Sequence, residues 1–589
     1  MEPESNSQTK QANKKKYILI ISPIILILAV IIFKFGSITS KGKHNCFGVL
    51  KELLYVSIDF GNYKSNFAYS FGKNNKIIQG KMRSVPSIVI LNKRTYTGKN
   101  YGTKSINSIS NYDEDEMSKI LYMNNLKNLL YEISNNETDI FSSKYLESSK
   151  AIIEYLKFFS DDIVKEINTL GYNKYNKNEI NWIITAPKIW NDNIKLNLIN
   201  FAKEAGMNNI ELGLDSEVSA LSIFNDKSLN DKLKTNGKIF LLIDLGDYKV
   251  DISLNEIIEN NNIRQLSNPL GGNFGSMNIN NDLLEAIENV FGKDVLMRAK
   301  EKQFDEYLQT LKGLEEIKKK YREKSDYLEV YAKFDRPSSF FKDWYYYLRN
   351  VFSKEKIYKE YVYRNNYGNY TIKLDDFKIY IPGNLLEDII QRRVNEVINY
   401  TKSKIINIKK LDYILLTGGY SNSGILVNEF RKNFKNVHIL SNQENSILEG
   451  SLMYLINQNR IYSTILNSTY GIGNNNYKEK IEILVKKNDI INSDFYISRL
   501  IDTKLFKNND NLCINFYKSY SDNVTKNDYF GTVTINLSEY KYIDVNKLSW
   551  KIKLRFITYF KIDIVDSITS QKIKFSFTKK EKSEEDEFN

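Results

Sequence analysis

Three segments restrict the fold more than anything else in this sequence, because each ends an apolar strand in a glycine turn, the first two with an acid beside the glycine. The first runs Val56-Ser57-Ile58-Asp59-Phe60-Gly61-Asn62-Tyr63-Lys64 and returns in Phe67-Ala68-Tyr69. The second repeats it as Leu241-Leu242-Ile243-Asp244-Leu245-Gly246-Asp247-Tyr248-Lys249 and returns in Val250-Asp251-Ile252. The third ends the apolar run Tyr413-Ile414-Leu415-Leu416-Thr417 in Gly418-Gly419-Tyr420, ahead of an expected helix. Runs of β-branched and aromatic residues broken by an acid and glycine predict strands and tight turns. Glycine lets backbone N–H groups approach phosphates closely, and an adjacent aspartate can hold the water shell of Mg²⁺. One such turn is merely a hairpin with an acid in it. Three, in order and roughly evenly spaced, are a much stronger signal.

Further landmarks keep the same order along the chain. They are Pro86-Ser87-Ile88-Val89, Trp182-Ile183-Ile184-Thr185-Ala186-Pro187-Lys188-Ile189-Trp190, Ala202-Lys203-Glu204-Ala205-Gly206-Met207, Leu214-Asp215-Ser216-Glu217-Val218, Leu270-Gly271-Gly272-Asn273 and Tyr470-Gly471-Ile472-Gly473. Together with the three turns, this series resembles the actin-like ATPase superfamily over residues 55–475. Within it, the series resembles the seventy-kilodalton heat-shock proteins, and most of all their atypical lidless branch, subfamily twelve. The resemblance implies an α/β fold of two similar lobes over residues 51–475 that binds ATP or ADP with Mg²⁺. It places Asp59 and Asp244 at the two acids that order Mg²⁺ through water, Glu217 at the third carboxylate, and Lys127 at the lysine that reaches the terminal phosphate. Lys127, Glu217 and Asp244 are then the catalytic set. Gly61, Asn62, Tyr63, Gly246, Gly271, Gly272, Gly418, Gly419 and Tyr420 form the phosphate cradle. Glu315, Lys318 and Lys319 fall where the family's helix clasps adenine and ribose, and their i, i+3, i+4 spacing puts them on one helix face.

The departures from that pattern concern the chemistry. Two threonines of the family's first turn are Asn62 and Tyr63 here, and the second turn carries Asp247, Tyr248 and Lys249 where the family has two glycines and a threonine. Asp247 adds negative charge beside an anionic ligand, where like charges cost most. Lys249 removes the hydroxyl that positions attacking water, but can stand in as a cation. Phosphoryl transfer depends on positioning and charge stabilisation, so hydrolysis is expected to suffer more than binding.

Residues 17–33 form an uncharged apolar run of about 25 Å as a helix, which reads as a single membrane span behind an N-terminal tail, 1–16, and ahead of a linker, 34–50. A cleaved signal peptide is the competing reading, but its apolar core is usually shorter. Lysines 10 and 14–16 before the run slightly outweigh Lys34, Lys41 and Lys43 after it, favouring a lumenal large domain; a cytosolic one stays open. Two cysteines and two histidines leave no disulfide framework, no Cys- or His-based metal centre and no Ser-His-Asp hydrolase. The net charge of +13 is spread along the chain without a basic, aromatic-laced cluster, so no nucleic-acid partner is expected.

Residues 293–375 read as helical and charged, with an aromatic run at 340–347. Period-2 alternation dominates from 477 onward and predicts an antiparallel β domain over 476–578, before a charged, disordered tail at 579–589. The order of its strands resembles the β-sandwich of the heat-shock peptide-binding module. The leading expectation is therefore a membrane-anchored, chaperone-like protein that couples adenine nucleotide to unfolded polypeptide clients. A co-chaperone or nucleotide-exchange factor is a further implied partner. The alternative is a nucleotide-independent scaffold on a decayed ATPase fold; a small-metabolite kinase fits the β domain less well.

Overall fold

The structure, a computed structural model, describes residues 51–579 except for internal intervals, the longest being 333–358, 502–510 and 537–549. The expected tail 1–16, membrane span 17–33, linker 34–50, aromatic run 340–347 and the end of the chain from 580 lie outside the described residues. Among the described residues, no helix is long and apolar enough to cross a membrane.

The first lobe is built on the strand Leu54–Asp59. It pairs antiparallel with Lys64–Phe71 and parallel with Ile180–Ala186, which in turn pairs parallel with Ile210–Leu214. Parallel neighbours need crossovers, and the helices Ser143–Leu170 and Asp192–Glu204 supply them. A sheet covered on both faces reads as near-continuous apolar sequence, and residues 54–58 are accordingly all buried. The long helix buries Ile152, Leu156, Phe159, Ile163 and Ile167 along one stripe against this sheet. Trp182 is fully buried in Ile180–Ala186, and its indole N–H donates to the Lys177 carbonyl at 2.9 Å, so its one polar atom is met.

The second lobe repeats the plan. Ile239–Leu245 pairs antiparallel with Val250–Ile258 and parallel with Tyr413–Thr417, which pairs parallel with Val437–Ile439. Gly383–Ile405 and Gly424–Asn433 are its helices. Asp59 ends the first strand of one lobe opposite Asn66, and Asp244 stands at the corresponding place in the other, opposite Asp251. The duplication thus brings two acid–glycine turns to the same end of their sheets.

Each lobe carries an added small sheet: Val89–Asn92 with Gly98–Tyr101 and Ile120–Met123 in the first, and four strands from Tyr327–Tyr331 to Lys378–Pro382 in the second. The second addition corrects the helical expectation for 293–375. Helices Lys293–Lys302 and Phe304–Lys320 are present, but Tyr327–Tyr331, Lys359–Asn365 and Gly368–Leu374 are strands. Tyr370, Ile372 and Leu374 bury one side of an alternating run, and that period-2 signal outweighs the charge around it.

C-terminally, a five-stranded antiparallel sheet holding Asn511–Ser519 and Tyr529–Asn536 and a three-stranded one holding Trp550–Arg555 and Lys561–Asp566 share one apolar cluster, which includes Phe516, Val533, Leu554 and Ile564. Pairing crosses position 475 in both directions. Thr469–Asn474 joins the five-stranded sheet, whereas Ile490–Asn492 returns to the second lobe beside Ile461–Ile465. These sheets meet the first lobe through buried charge: the Asp192 carboxylate accepts from Lys518 Nζ at 2.5 Å and from the Tyr470 hydroxyl at 3.0 Å. Lys518 also lies over the rings of Tyr470, Tyr520 and Phe530, 5.5–5.8 Å from their centroids.

Candidate functional site

Both acid–glycine turns face one cleft of about 1730 Å³ between the lobes. Asp59, Gly61, Asn62, Tyr63, Lys127, Asp244, Gly246, Glu315, Lys318, Gly418, Gly419 and Tyr420 all line it. Three of these glycines are there for steric reasons. A Cβ at Gly61 would lie 2.1 Å from the Lys64 carbonyl oxygen, and one at Gly246 would lie 2.9 Å from that of Lys249. Gly418 has φ +85°, and a Cβ there would come within 2.5 Å of Asp244 Oδ1, so the third turn rests directly on the second acid.

Glu217, expected as the third carboxylate, does not line the cleft. That side chain is buried and bonded to Lys188 Nζ at 2.5 Å, away from the cleft, and Lys188 also reaches Gln265. Asp215 lines the cleft instead. Both acids lie on the helix Asp215–Leu221, and two helical positions differ by about 200°, so only one can face the ligand space. Asp215 Oδ2 takes Lys127 Nζ at 3.3 Å, while its other oxygen is buried without a hydrogen-bond partner among the described residues. A second acid missed from the sequence is Asp251, directly across the hairpin from Asp244. Cross-strand partners share a face, so hairpin register would have found it.

These charges are poorly compensated. Burial pushes the Asp59 carboxyl up to about 6, with Asp215 adding to the rise and Lys127 opposing it. Burial likewise lifts Asp251 to about 6, and raises Asp244 well above the usual range with Asp251, Asp215 and Asp59 contributing. Burial depresses Lys127, but Asp215 and Asp59 more than reverse this, so it stays cationic. Lys249 is lowered by burial, and its ammonium lies 5.3 Å from the centroid of the Tyr131 ring on the opposite lobe.

Several expected contacts are engaged by the protein itself. Asn62 Oδ1 accepts the Asn128 N–H at 3.1 Å, near the start of the helix Leu126–Asn135 that carries Lys127. The Tyr63 hydroxyl reaches the sulfur of Met277 across the cleft. Asp247 Oδ1 accepts from Ser276 Oγ at 3.0 Å, and Lys318 pairs with Glu315 at 2.6 Å while reaching Ser276. Lys319 lies in the same helix, but its side chain is outside the described residues. Gly271 and Gly272, expected in the phosphate cradle, are not among the residues lining the cleft; they belong to the strand Leu270–Gly272, paired antiparallel beside Val250–Ile258, and a Cβ on Gly271 would fall 2.4 Å from Asp251 Oδ1.

Two lobes of like topology, each presenting an acid–glycine turn to a shared cleft, match the two-lobed α/β arrangement expected from the sequence. In sequence the chain is similar to heat shock 70 kDa protein 12A of Homo sapiens and of Mus musculus, 21% identical to each over 319 residues. The alignment takes in 42% of this chain and 47% of either relative, so the chain spans about half the length of the curated relatives it matches. No protein-family model matches the chain. Solved structures similar to it include MreB5 of Spiroplasma citri bound to AMPPNP, at TM-score 0.40 and 12% identity, covering 68% of this chain and 96% of that one. The same protein bound to ADP gives a TM-score of 0.41 at 13% identity with the same coverage.

Proposed function

We propose that the cleft binds an adenine nucleotide together with a divalent cation, and that hydrolysis there is slow. The observation that carries this reading is the convergence of Asp59, Asp215, Asp244 and Asp251 with Lys127 from both lobes onto one cleft floored by three glycine turns. Asp59, Asp244 and Asp251 stay raised by burial despite the lysines beside them, which favours an added cation, and the oxygen of Asp215 without a hydrogen-bond partner among the described residues is a spare acceptor for it. Among the described residues no three acidic, His or Cys side chains are placed to hold a metal ion directly. The residues therefore suit an ion held through its own waters, with Asp59 and Asp244 orienting that shell. The cation supplies charge neutralisation for the phosphates; Lys127 stabilises charge on the terminal one, and Gly246, Gly418 and Gly419 offer backbone amides.

Slow turnover follows from the second turn, where Asp247 and Tyr248 occupy backbone-approach positions and Lys249 replaces a hydroxyl. The C-terminal sheets are the candidate β-sandwich for polypeptide clients, and residues 17–33 the candidate anchor; a co-chaperone or exchange factor remains part of the same proposal. The reading is tested by thermal melting of the full chain with millimolar Mg-ADP and Mg-ATP. Ligand at about 100 times its Kd raises stability by about 2.7 kcal/mol. Unchanged melting with either nucleotide would favour the second reading, a nucleotide-independent scaffold. That alternative draws on the Asn62, Glu315 and Lys318 contacts, in which protein groups already satisfy one another.

A further inference from the structure

The two turns that enter the cleft are nearly the same sequence written twice. Asp59-Phe60-Gly61-Asn62-Tyr63-Lys64 and Asp244-Leu245-Gly246-Asp247-Tyr248-Lys249 share acid, apolar residue, glycine, Asn/Asp, tyrosine and lysine in register. The copies also agree in structure. In each, the glycine lies against the carbonyl of the lysine three residues on. The tyrosines are 37% and 38% exposed, both lysines are half-buried, and all four side chains line the cleft. Because the lobes repeat one topology, Lys64 and Lys249 hold equivalent places on facing walls.

The charge around them gives this pair a use. On the nucleotide reading, Lys127 is shared between Asp215, at 3.3 Å, and the terminal phosphate, so the remaining phosphate charge calls for other cations. Lys64 acts on Asp59 and Lys249 on Asp251, so each turn has one lysine beside the acids of its own hairpin. Lys249 rests over the Tyr131 ring of the other lobe. A ring face holds an ammonium more weakly than a phosphate oxygen does, so an anion between the turns can draw it away.

We propose that Lys64 and Lys249 form a two-sided cation clamp, one lysine from each lobe, that grips the phosphate groups of the cleft's ligand. This rests on the nucleotide reading and deepens it. Where a phosphate cradle otherwise relies on bare glycine amides and hydroxyls, this chain fills those positions with side chains and recovers the attraction with paired ammonium groups. Affinity then depends on the number of phosphates and weakens with salt, while the nucleoside part contributes separately.

The test is titration calorimetry on the full chain with Mg-ADP, Mg-pyrophosphate and adenosine. The proteins are wild type, Lys64→Met, Lys249→Met, the double Met variant and the double Arg variant, each checked for unchanged melting. Each Met substitution is expected to weaken ADP roughly tenfold and the pair roughly a hundredfold. Adenosine binding stays unchanged, and the double Arg variant recovers most of the ADP affinity. Double-Met protein binding ADP like wild type overturns the clamp, as does a double-Arg variant as weak as the double Met. Lysine-dependent pyrophosphate binding with neither ADP nor adenosine bound keeps the clamp and removes the nucleotide reading. Wild type that binds neither ADP nor pyrophosphate removes both.

Discussion

Buried charge occurs in two regions of this molecule, and they treat it in opposite ways. Where the C-terminal sheets meet the first lobe, Asp192 has Lys518 at 2.5 Å and the Tyr470 hydroxyl at 3.0 Å. Burial alone would push its carboxyl up, but Lys518 and Lys195 outweigh that and hold it below the usual range. In the cleft, burial wins: Asp59 and Asp251 rise to about 6 and Asp244 is raised well above the usual range, although Lys127 and Lys64 oppose the rise at Asp59. A buried acid with its partners in place is part of the framework. Buried acids left short of positive charge mark a place where a ligand and a cation complete the structure.

The largest effect should come from breaking the satisfied region. Lys518→Ala removes the cation hydrogen-bonded to buried Asp192, leaving Lys195 as its remaining positive neighbour, and is expected to cost about 3 kcal/mol in denaturant unfolding. A loss under about 1 kcal/mol would mean the junction is as soft as a surface pair and the comparison fails. Asp192 has a lowered pKa, so its stabilisation is present above its unfolded value near 3.8 and is lost as pH falls below that.

Next in size is the second turn. Replacing Asp247-Tyr248-Lys249 by Gly-Gly-Thr restores two backbone-approach positions and a hydroxyl. A single lost transition-state contact costs about 3–4 kcal/mol, so single-turnover ATP hydrolysis should rise about 10²-fold or more. Wild type that is already as fast as the restored variant would show that Lys249 compensates.

Smaller, but opposite in sign to most core substitutions, is Asp244→Asn. Acids with raised pKa values contribute stability that is fully present below about pH 3.8 and lost as pH rises through their folded values, about 6 for Asp59 and Asp251, with Asp244 also raised well above its ordinary value. Removing the ionisable group should therefore raise the melting temperature of the ligand-free protein at pH 8 and change it little at pH 4. It should also abolish the stabilising effect of Mg-ADP. Equal shifts at both pH values would mean that packing rather than charge sets the effect.

The duplicated lobes could be read from the sequence because each hairpin carries its own strand, acid and glycine in a short window. Local patterning fixed Asp59, Asp244 and the glycines in the same way. Glu217 lies off the cleft where motif position and helix phase disagree: a two-residue offset on a helix reverses the face, and Asp215 has the cleft side. Asp251 was in plain view within the second hairpin, but only its register against Asp244 assigns it to the cleft. The Asp192–Lys518 pair joins residues 326 positions apart and has no local signature at all. The strands after residue 327 were hidden by charge that masked their alternation.

The central claim is that the cleft, and not the junction, is short of a ligand. Hydrogen–deuterium exchange of the full chain with and without Mg-ADP tests it most directly. Amides of residues 61–64, 246–249 and 418–420 should gain protection on adding Mg-ADP, and those around Asp192, Tyr470 and Lys518 should not change. Unaltered exchange at all three turns under saturating Mg-ADP, or protection confined to the junction, would contradict the account.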